Sequence, residues 1–403
     1  MKVLVALPIT HPKVNSVDHV LHGIEAVSGT VGSIMRVASF LANAGLDVYL
    51  SLSSEGQSSK FLCIQHEKAK LEQFDWLIVH QSHWNSLELT FGNHVLSKTF
   101  LWLHNQTSWK FIHDFINSGG YRVIAPSGYQ ANIYRAINGW QEKIKFIYNP
   151  YCAVFVPKKA QVQHQLLFVG AITPSKGFVE LMQIWSYIVQ KQVNLQLAIA
   201  GGINIHKGAD IKLGAMGIAE SDFETKQIQP WLKTLPEKYQ PQFLGALPPQ
   251  ELHKTICESW AVIVNPSWSS PETFCCSAVE AQACDRTVFG IAAGGLKETV
   301  YQGQLKTLTN GKSPEALGDL ILHGLSHMEA VAENGKLAGE FARSKFNQQS
   351  ISDAWIQSLS GKPIDSSILS TWDTPKDLAF DFLRWTGTGM AIKSAYGKLL
   401  NRP

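Results

Sequence analysis

The stretch NPSWSSPETFCCSAVEAQACDRTVFGIAAGGLKE, residues 265–298, decides the fold. It sets Glu272 and Glu280 eight positions apart across a loop-to-helix junction. Ser269, Ser270 and Pro271 are loop formers, and a helical pattern begins at about Phe274. Glu272 then stands just ahead of a helix N-terminus, with Glu280 about two turns inside the helix. Such a terminus presents unpaired N–H groups and a positive dipole end to an anion. A carboxylate beside it accepts hydrogen bonds from hydroxyls while the N–H groups hold phosphate oxygens. A nucleotide-sugar presents both kinds of group. The stretch closes with a short apolar run at 288–291 and a turn at Gly294 and Gly295.

Outward from this stretch the chain alternates apolar runs and helical patterns, twice over. In the first half, strands are expected at 3–7, 48–52, 76–79, 100–103, 122–125 and 146–148, with a helix over 33–44 closed by Gly45. The second half restarts with strands at 166–169, 195–200, 243–245, 261–264 and 288–291, and Pro174, Ser175, Lys176 and Gly177 lead into a helix. Continuous apolar runs separated by helices imply parallel sheets covered on both faces. The expectation is therefore two doubly wound α/β domains facing a cleft, joined near 150–160. Ligands of such sheets sit beyond the carboxyl ends of the strands, which gathers His80, His104, Gly201, Gly202, Gly245 and the Glu272 loop around one site.

Composition bounds the function. A chain of 403 residues is long for one core. A net charge of +3 with no basic run gives no footing for nucleic acid. The six cysteines form no CxxC pair and show no metal-ligand spacing, so they read as reduced thiols. No run approaches the roughly 20 apolar residues of a spanning helix, and the first residues lack a signal-peptide core. A cytoplasmic protein is expected. No G-x-G-x-x-G follows the first strand, which argues against a dinucleotide dehydrogenase. Nine of the 14 histidines precede residue 150, so binding sensitive to pH near 6.5 is expected.

The order proline, Glu272, seven residues, Glu280, strand, Gly294, Gly295 and Glu298 resembles the signature of retaining GT-B glycosyltransferases of the family 4 type. The resemblance implies two Rossmann-like domains: residues 1–150 on the acceptor side, completed by part of 360–403, and residues 151–360 binding the nucleotide-sugar donor. Residues 361–403 form a helical tail, in which 377–384 or 390–400 crosses back to the first domain or touches a membrane. The resemblance also assigns roles. Glu272 meets donor-sugar hydroxyls, Glu280 the ribose, Lys176 the diphosphate and His104 the sugar or its phosphate. Phe274, Cys275, Cys276, Ser277, Gly201, Gly202 and Gly245 line the donor site, and Ser28, Gly29 and Thr30 form a diphosphate or acceptor loop. Taken singly, Glu272 also reads as a capping acid, Glu280 as a helix-surface residue, Lys176 as a solvated turn residue and His104 as a structural histidine. Cys275 reads as a packing residue or, at a helix N-terminus, as a reactive thiol.

Three departures qualify the likeness. Ser28 and Gly29 stand where the family has a Gly-Gly pair ahead of the helix that Gly45 closes. Ala171 stands where the family carries a second phosphate-gripping cation, an arginine, and Cys275 where it has a glycine. No D-x-D motif occurs, so no metal and no cofactor are expected, and a UDP- or GDP-sugar is a substrate. The implied activity is transfer of a sugar to a hydroxyl acceptor (a glycan, lipid-linked sugar or small molecule) in glycan or glycolipid assembly, in the cytoplasm or peripherally at the inner membrane face. A catalytically silent nucleotide-sugar-binding or scaffold protein, and a nucleotide-sugar epimerase of the same fold, are the alternatives.

Overall fold

The computed structural model describes residues 1–362 apart from Pro12, Asn15, 85–92, 136–139 and 204–211. The 361–403 tail, with its two expected helices, lies outside the described residues beyond Lys362. The first domain is built on a seven-stranded parallel sheet in the order β3-β2-β1-β4-β5-β6-β7. Its strands are β1 (Lys2–Ala6), β2 (Asp47–Leu52), β3 (Leu62–Gln65), β4 (Trp76–His80), β5 (Thr99–Trp102), β6 (Arg122–Ala125) and β7 (Ile144–Phe146). The second domain has six parallel strands in the order β10-β9-β8-β11-β12-β13. These are β8 (Gln163–Val169), β9 (Gln196–Ala200), β10 (Gln242–Gly245), β11 (Ser259–Ile263), β12 (Val288–Ile291) and β13 (Leu308–Thr309).

The central strands β5 and β11 are buried along their whole length, as expected where helices cover both faces of a parallel sheet. Each sheet accordingly has two cores. In the first domain, one joins Val3, Val5 and Ile78 to Ile34, Val37 and Leu41 of helix Gly29–Asn43. The other joins Leu77, Leu101 and Val123 to Ile112 and Phe115. The direction of strand order reverses between β1 and β4 and again between β8 and β11. Crevices open at such switch points, and these two face each other.

The structure corrects several boundaries, among them that of β7, which runs Ile144–Phe146, two residues earlier than expected. The first-domain helix begins at Gly29, four residues before the expected start, because Ser28 caps it by accepting from the N–H of Val31 at 3.3 Å. Gly29 and Thr30 are thus the helix's first turn and not a free loop. A helix within the span expected for the donor domain also packs onto the first domain. Helix Gln348–Leu359 puts Ile351, Trp355 and Leu359 into the first domain's core. The Trp355 ring meets those of Trp102 at 4.9 Å and Phe100 at 6.2 Å. Residues 348–359 therefore complete the first domain by packing.

The domains are fastened beside the Glu272 loop. Ser127 Oγ donates to the carbonyl of Thr273 at 2.6 Å, and Thr273 Oγ1 donates to the carbonyl of His104 at 2.7 Å. Glu298 reaches from the second domain to the N-terminus of helix Gly128–Arg135, accepting from the N–H of Gly128 at 3.0 Å and from that of Tyr129. Its Oε2 also accepts from Tyr148 Oη at 3.3 Å. A buried carboxylate on two orphan N–H groups at a dipole's positive end is a charge-assisted fastening. Replacing Glu298 by Ala should lower stability by about 2–3 kcal/mol, since it strands both N–H groups. Chemical denaturation would measure the loss, and Glu298→Gln should recover part of it.

Candidate active site

The two switch points bound a cleft of about 450 Å³. Strand β8 ends at Val169, and the turn after it carries Gly170, Ala171 and Lys176. Strand β11 ends at Ile263, followed by Asn265 and the loop to Glu272. From the first domain come Ser28, Gly29, Thr30, His80 and His104. Glu280, Gly201, Gly202, Phe274, Cys275, Cys276 and Ser277 complete the expected set along its walls. Gly245 is not among the lining residues. It ends β10, and its successors Ala246 and Leu247 line the cleft instead.

Lys176 and Glu272 meet directly. Lys176 Nζ donates to Glu272 Oε1 at 2.7 Å, and Asn265 Nδ2 donates to the same oxygen at 2.9 Å. Burial lowers the lysine's proton affinity, but the Glu272 carboxylate outweighs it and leaves the pKa raised, so the ammonium is charged. The turn that delivers Lys176 requires Gly177, whose φ is 75° and whose hydrogen points at Pro266. A β-carbon there would stand 2.7 Å from both Pro266 Cδ and the Ser267 nitrogen. Gly294 does the same for Glu272: a β-carbon on it would lie 2.5 Å from the Glu272 carbonyl. That carbonyl accepts from the N–H of Gly295 at 2.7 Å.

Asn265 is a functional candidate that sequence reading missed. It is buried, with φ at 23°. Its side chain fixes that backbone, donating to Glu272 and to the carbonyl of Ser270 at 3.2 Å and accepting from the N–H of Ser267 at 3.1 Å. A non-glycine residue held at positive φ beside a carboxylate is the kind of strain that functional loops retain.

Arg36 was missed as well. It lies on helix Gly29–Asn43, is 7% exposed and lines the cleft. Its guanidinium folds back over Gly32, with Nη1 2.8 Å from where a β-carbon of that residue would stand. Its Nε has no hydrogen-bond partner. It faces Glu280, whose carboxyl burial pushes upward and the Arg36 charge pulls back down. Ala171, buried at the opposite wall, leaves Lys176 as that wall's one cation among the described lining residues, and Arg36 brings a second from across the cleft.

Two helix N-termini also converge here. Helix Cys276–Ala283 begins without a side-chain cap, and Cys276 Sγ lies 3.4 Å from where a β-carbon on Gly29 would stand. Burial pushes the thiols of both Cys275 and Cys276 up to about 12, so neither is a nucleophile at neutral pH.

The histidines behave differently from the expectation of a switch near pH 6.5. Burial, helped by His83, holds His80 down at about 3, burial sets His66 at about 4, and burial with His80 nearby takes His104 well below its ordinary value. All three rings are neutral at pH 6.5. His80 Nδ1 accepts from the N–H of Ser82 at 3.1 Å, so its proton sits on Nε2, which has no partner. His104 Nε2 is likewise unpartnered, and both rings line the cleft 5.5 Å apart. They suit uncharged hydrogen bonding to hydroxyls better than ion pairing with phosphate.

This cleft between two Rossmann-like parallel sheets, with its cation, carboxylates and helix ends, defines the architecture of a GT-B glycosyltransferase. Comparison with known proteins agrees. Residues 154–340 match the family model described as glycosyl transferases group 1. D-inositol 3-phosphate glycosyltransferase of Corynebacterium efficiens is 27% identical over 198 residues, 47% of this chain and 40% of that protein. Its counterpart in Corynebacterium glutamicum is 28% identical over 179 residues, 44% of this chain and 38% of that protein. The match thus spans about two fifths of these curated relatives' length. Among solved structures, sucrose-phosphate synthase from Thermosynechococcus elongatus superposes with a TM-score of 0.66 at 17% identity, covering 90% of this chain and 99% of that one. Anabaena HepE in complex with UDP-glucose gives 0.66 at 15% identity, covering 90% and 100%.

The depressed histidines set a pH dependence of stability. Their folded pKa values lie below that of the unfolded chain, so the unfolded state binds more protons as pH falls through 6.5. Stability should be full above about pH 6.5 and decline toward pH 3–4, with a slope approaching about 1.4 kcal/mol per pH unit for each ring. Denaturant unfolding across this range should show that decline, and His80→Gln should flatten it.

Proposed function

We propose that the chain is a retaining, metal-independent glycosyltransferase. It moves a sugar from a nucleoside-diphosphate-sugar, UDP- or GDP-linked, to a hydroxyl acceptor in glycan or glycolipid assembly. The observation that carries this reading is the Lys176–Glu272–Asn265 cluster at one switch point, opposite Arg36 and Glu280 at the meeting of two helix N-termini. These are the groups a diphosphate flanked by a sugar and a ribose would engage. The donor class is favoured further by HepE, which was solved with UDP and with UDP-glucose.

In this mechanism the Lys176 ammonium exchanges Glu272 for a diphosphate oxygen as the donor enters. Glu272, still held by Asn265, then accepts hydrogen bonds from sugar hydroxyls, while Glu280 accepts from the ribose. His80 and His104 donate through Nε2 on the first-domain side. As the bond from C1 to the phosphate oxygen breaks, negative charge gathers on the diphosphate. Lys176, Arg36 and the N–H groups opening the two helices are already aimed at it, which is where electrostatic catalysis is most effective. The acceptor hydroxyl attacks from the same face and gives its proton to the departing phosphate, so no side chain serves as general base. Among the described residues no helix is long and apolar enough to cross a membrane, and we place the reaction in the cytoplasm or at the inner membrane face.

Thermal unfolding with UDP, GDP, ADP and their common sugar conjugates tests the donor site. A ligand at a hundred times its dissociation constant adds about 2.7 kcal/mol. One nucleotide should raise the melting temperature, and Glu280→Ala should abolish that shift. If none does, the donor site as described is wrong. Arg36→Ala should weaken nucleoside-diphosphate binding by about 1.5–3 kcal/mol, roughly 10- to 150-fold, and leave nucleoside binding unchanged. Calorimetric titration would distinguish the two. Binding without turnover on any hydroxyl acceptor would instead indicate a silent binding protein. Release of free nucleotide and an altered sugar without acceptor would indicate an epimerase.

A further inference from the structure

A second cluster of reactive side chains lies on the donor domain among residues that do not line the cleft. His253 and Cys257 are one turn apart on a single face of helix Pro249–Glu258. Cys284 ends helix Cys276–Ala283, whose interior carries Glu280. One ligand atom from each of the three lies within 4.8 Å of the others. Both cysteines are buried and His253 is half-buried. The cysteine spacing in the sequence shows no metal pattern because the nearest ligand partner of Cys257 is a histidine, and Cys284 arrives from a different helix.

The histidine is already oriented. His253 Nε2 lies 2.8 Å from the carbonyl oxygen of Val156, and a carbonyl only accepts. The proton is therefore on Nε2, leaving the Nδ1 lone pair free. Fixing a ring's tautomer through a carbonyl on its far nitrogen is how metal-binding histidines are commonly held. Two thiolates and an imidazole are soft and borderline ligands in a set that suits zinc over magnesium or calcium. Two thiolates also neutralise a divalent charge. The half-exposed side at His253 leaves room for water as a fourth ligand.

We propose that His253 Nδ1, Cys257 Sγ and Cys284 Sγ bind one zinc-class divalent ion. The ion would tie together three parts of the chain. These are helix Pro249–Glu258, the end of the helix carrying Glu280, and, through His253, the interdomain segment at Val156. Its role is structural, apart from the transfer chemistry.

Cobalt(II) is the probe. The full-length chain, reduced and stripped with a chelator, is titrated with Co²⁺ and then with Zn²⁺. A one-equivalent site should give the visible d–d bands of a tetrahedral ion and near-ultraviolet thiolate-to-cobalt charge transfer, both bleached by Zn²⁺. The charge-transfer intensity should fall by roughly half in Cys257→Ser and in Cys284→Ser, two thiolates becoming one, and stay unchanged in Cys63→Ser. Near-ultraviolet circular dichroism of each variant confirms that it is folded. Failure of the wild-type chain to develop these bands overturns the proposal. So does persistence of full intensity in both variants, which would place the ion elsewhere. Recovery of Cys257 and Cys284 joined to each other in chain purified without reductant would replace the metal site by a disulfide.

Discussion

Thr273 is the residue on which the cleft depends. Its hydroxyl and its carbonyl are both bonded into the first domain, to His104 and Ser127. The preceding residue is the carboxylate that meets Lys176. A loop that moved freely with the second domain would carry Glu272 away from the first-domain histidines. Pinned at Thr273, it keeps a fixed position against both walls. Glu298 reinforces the arrangement by capping a first-domain helix, and the aromatic group of Tyr148, Phe274 and Phe346 fills the space beneath. The polar contacts set the register and the apolar ones exclude water from it.

Inside that frame the charges are arranged to be exchanged. Lys176 carries a largely shielded positive charge whose partner is another functional group, Glu272. Glu280 is held near Arg36 instead of water. Only the first pair is a placeholder made by direct contact; at Glu280 burial outweighs the pull of Arg36 and leaves the carboxyl raised, so a ligand would bring both sites the partners they lack. The buried histidines add no charge to this balance, since burial keeps them neutral.

Much of the fold was legible. Strands such as β1, β4 and β12 stand out because double coverage turns them into continuous apolar runs, and β12 and β6 end where the residues indicate. The short edge strands β3 and β13 escaped. Leu62–Gln65 is partly exposed, and Leu308–Thr309 is two residues long, too short for any period to appear. The donor-side motif was legible because its parts lie within 34 residues. What crosses between the domains was not. Nothing near Arg36 in the sequence announces that it faces Glu280, 244 positions away, and only Gly32 one turn earlier hints that its guanidinium needs space. The role of Glu298 as a cap was hidden for the same reason, since Gly128 precedes it by 170 residues.

Helix Gln348–Leu359 gives the described chain an unusual connectivity. The first domain is assembled from both ends of that chain, and the donor domain is an insertion within it. It leaves by the segment between β7 and β8 and returns through the single step at Phe346 and Asn347. A body attached at two places turns easily only about the line through them, because any other rotation must stretch one attachment. With the return link so short, that line is nearly fixed in the molecule. Among the described residues, rotation of one domain against the other is therefore restricted chiefly to that line, the same line beside which Thr273 and Glu298 fasten the two walls.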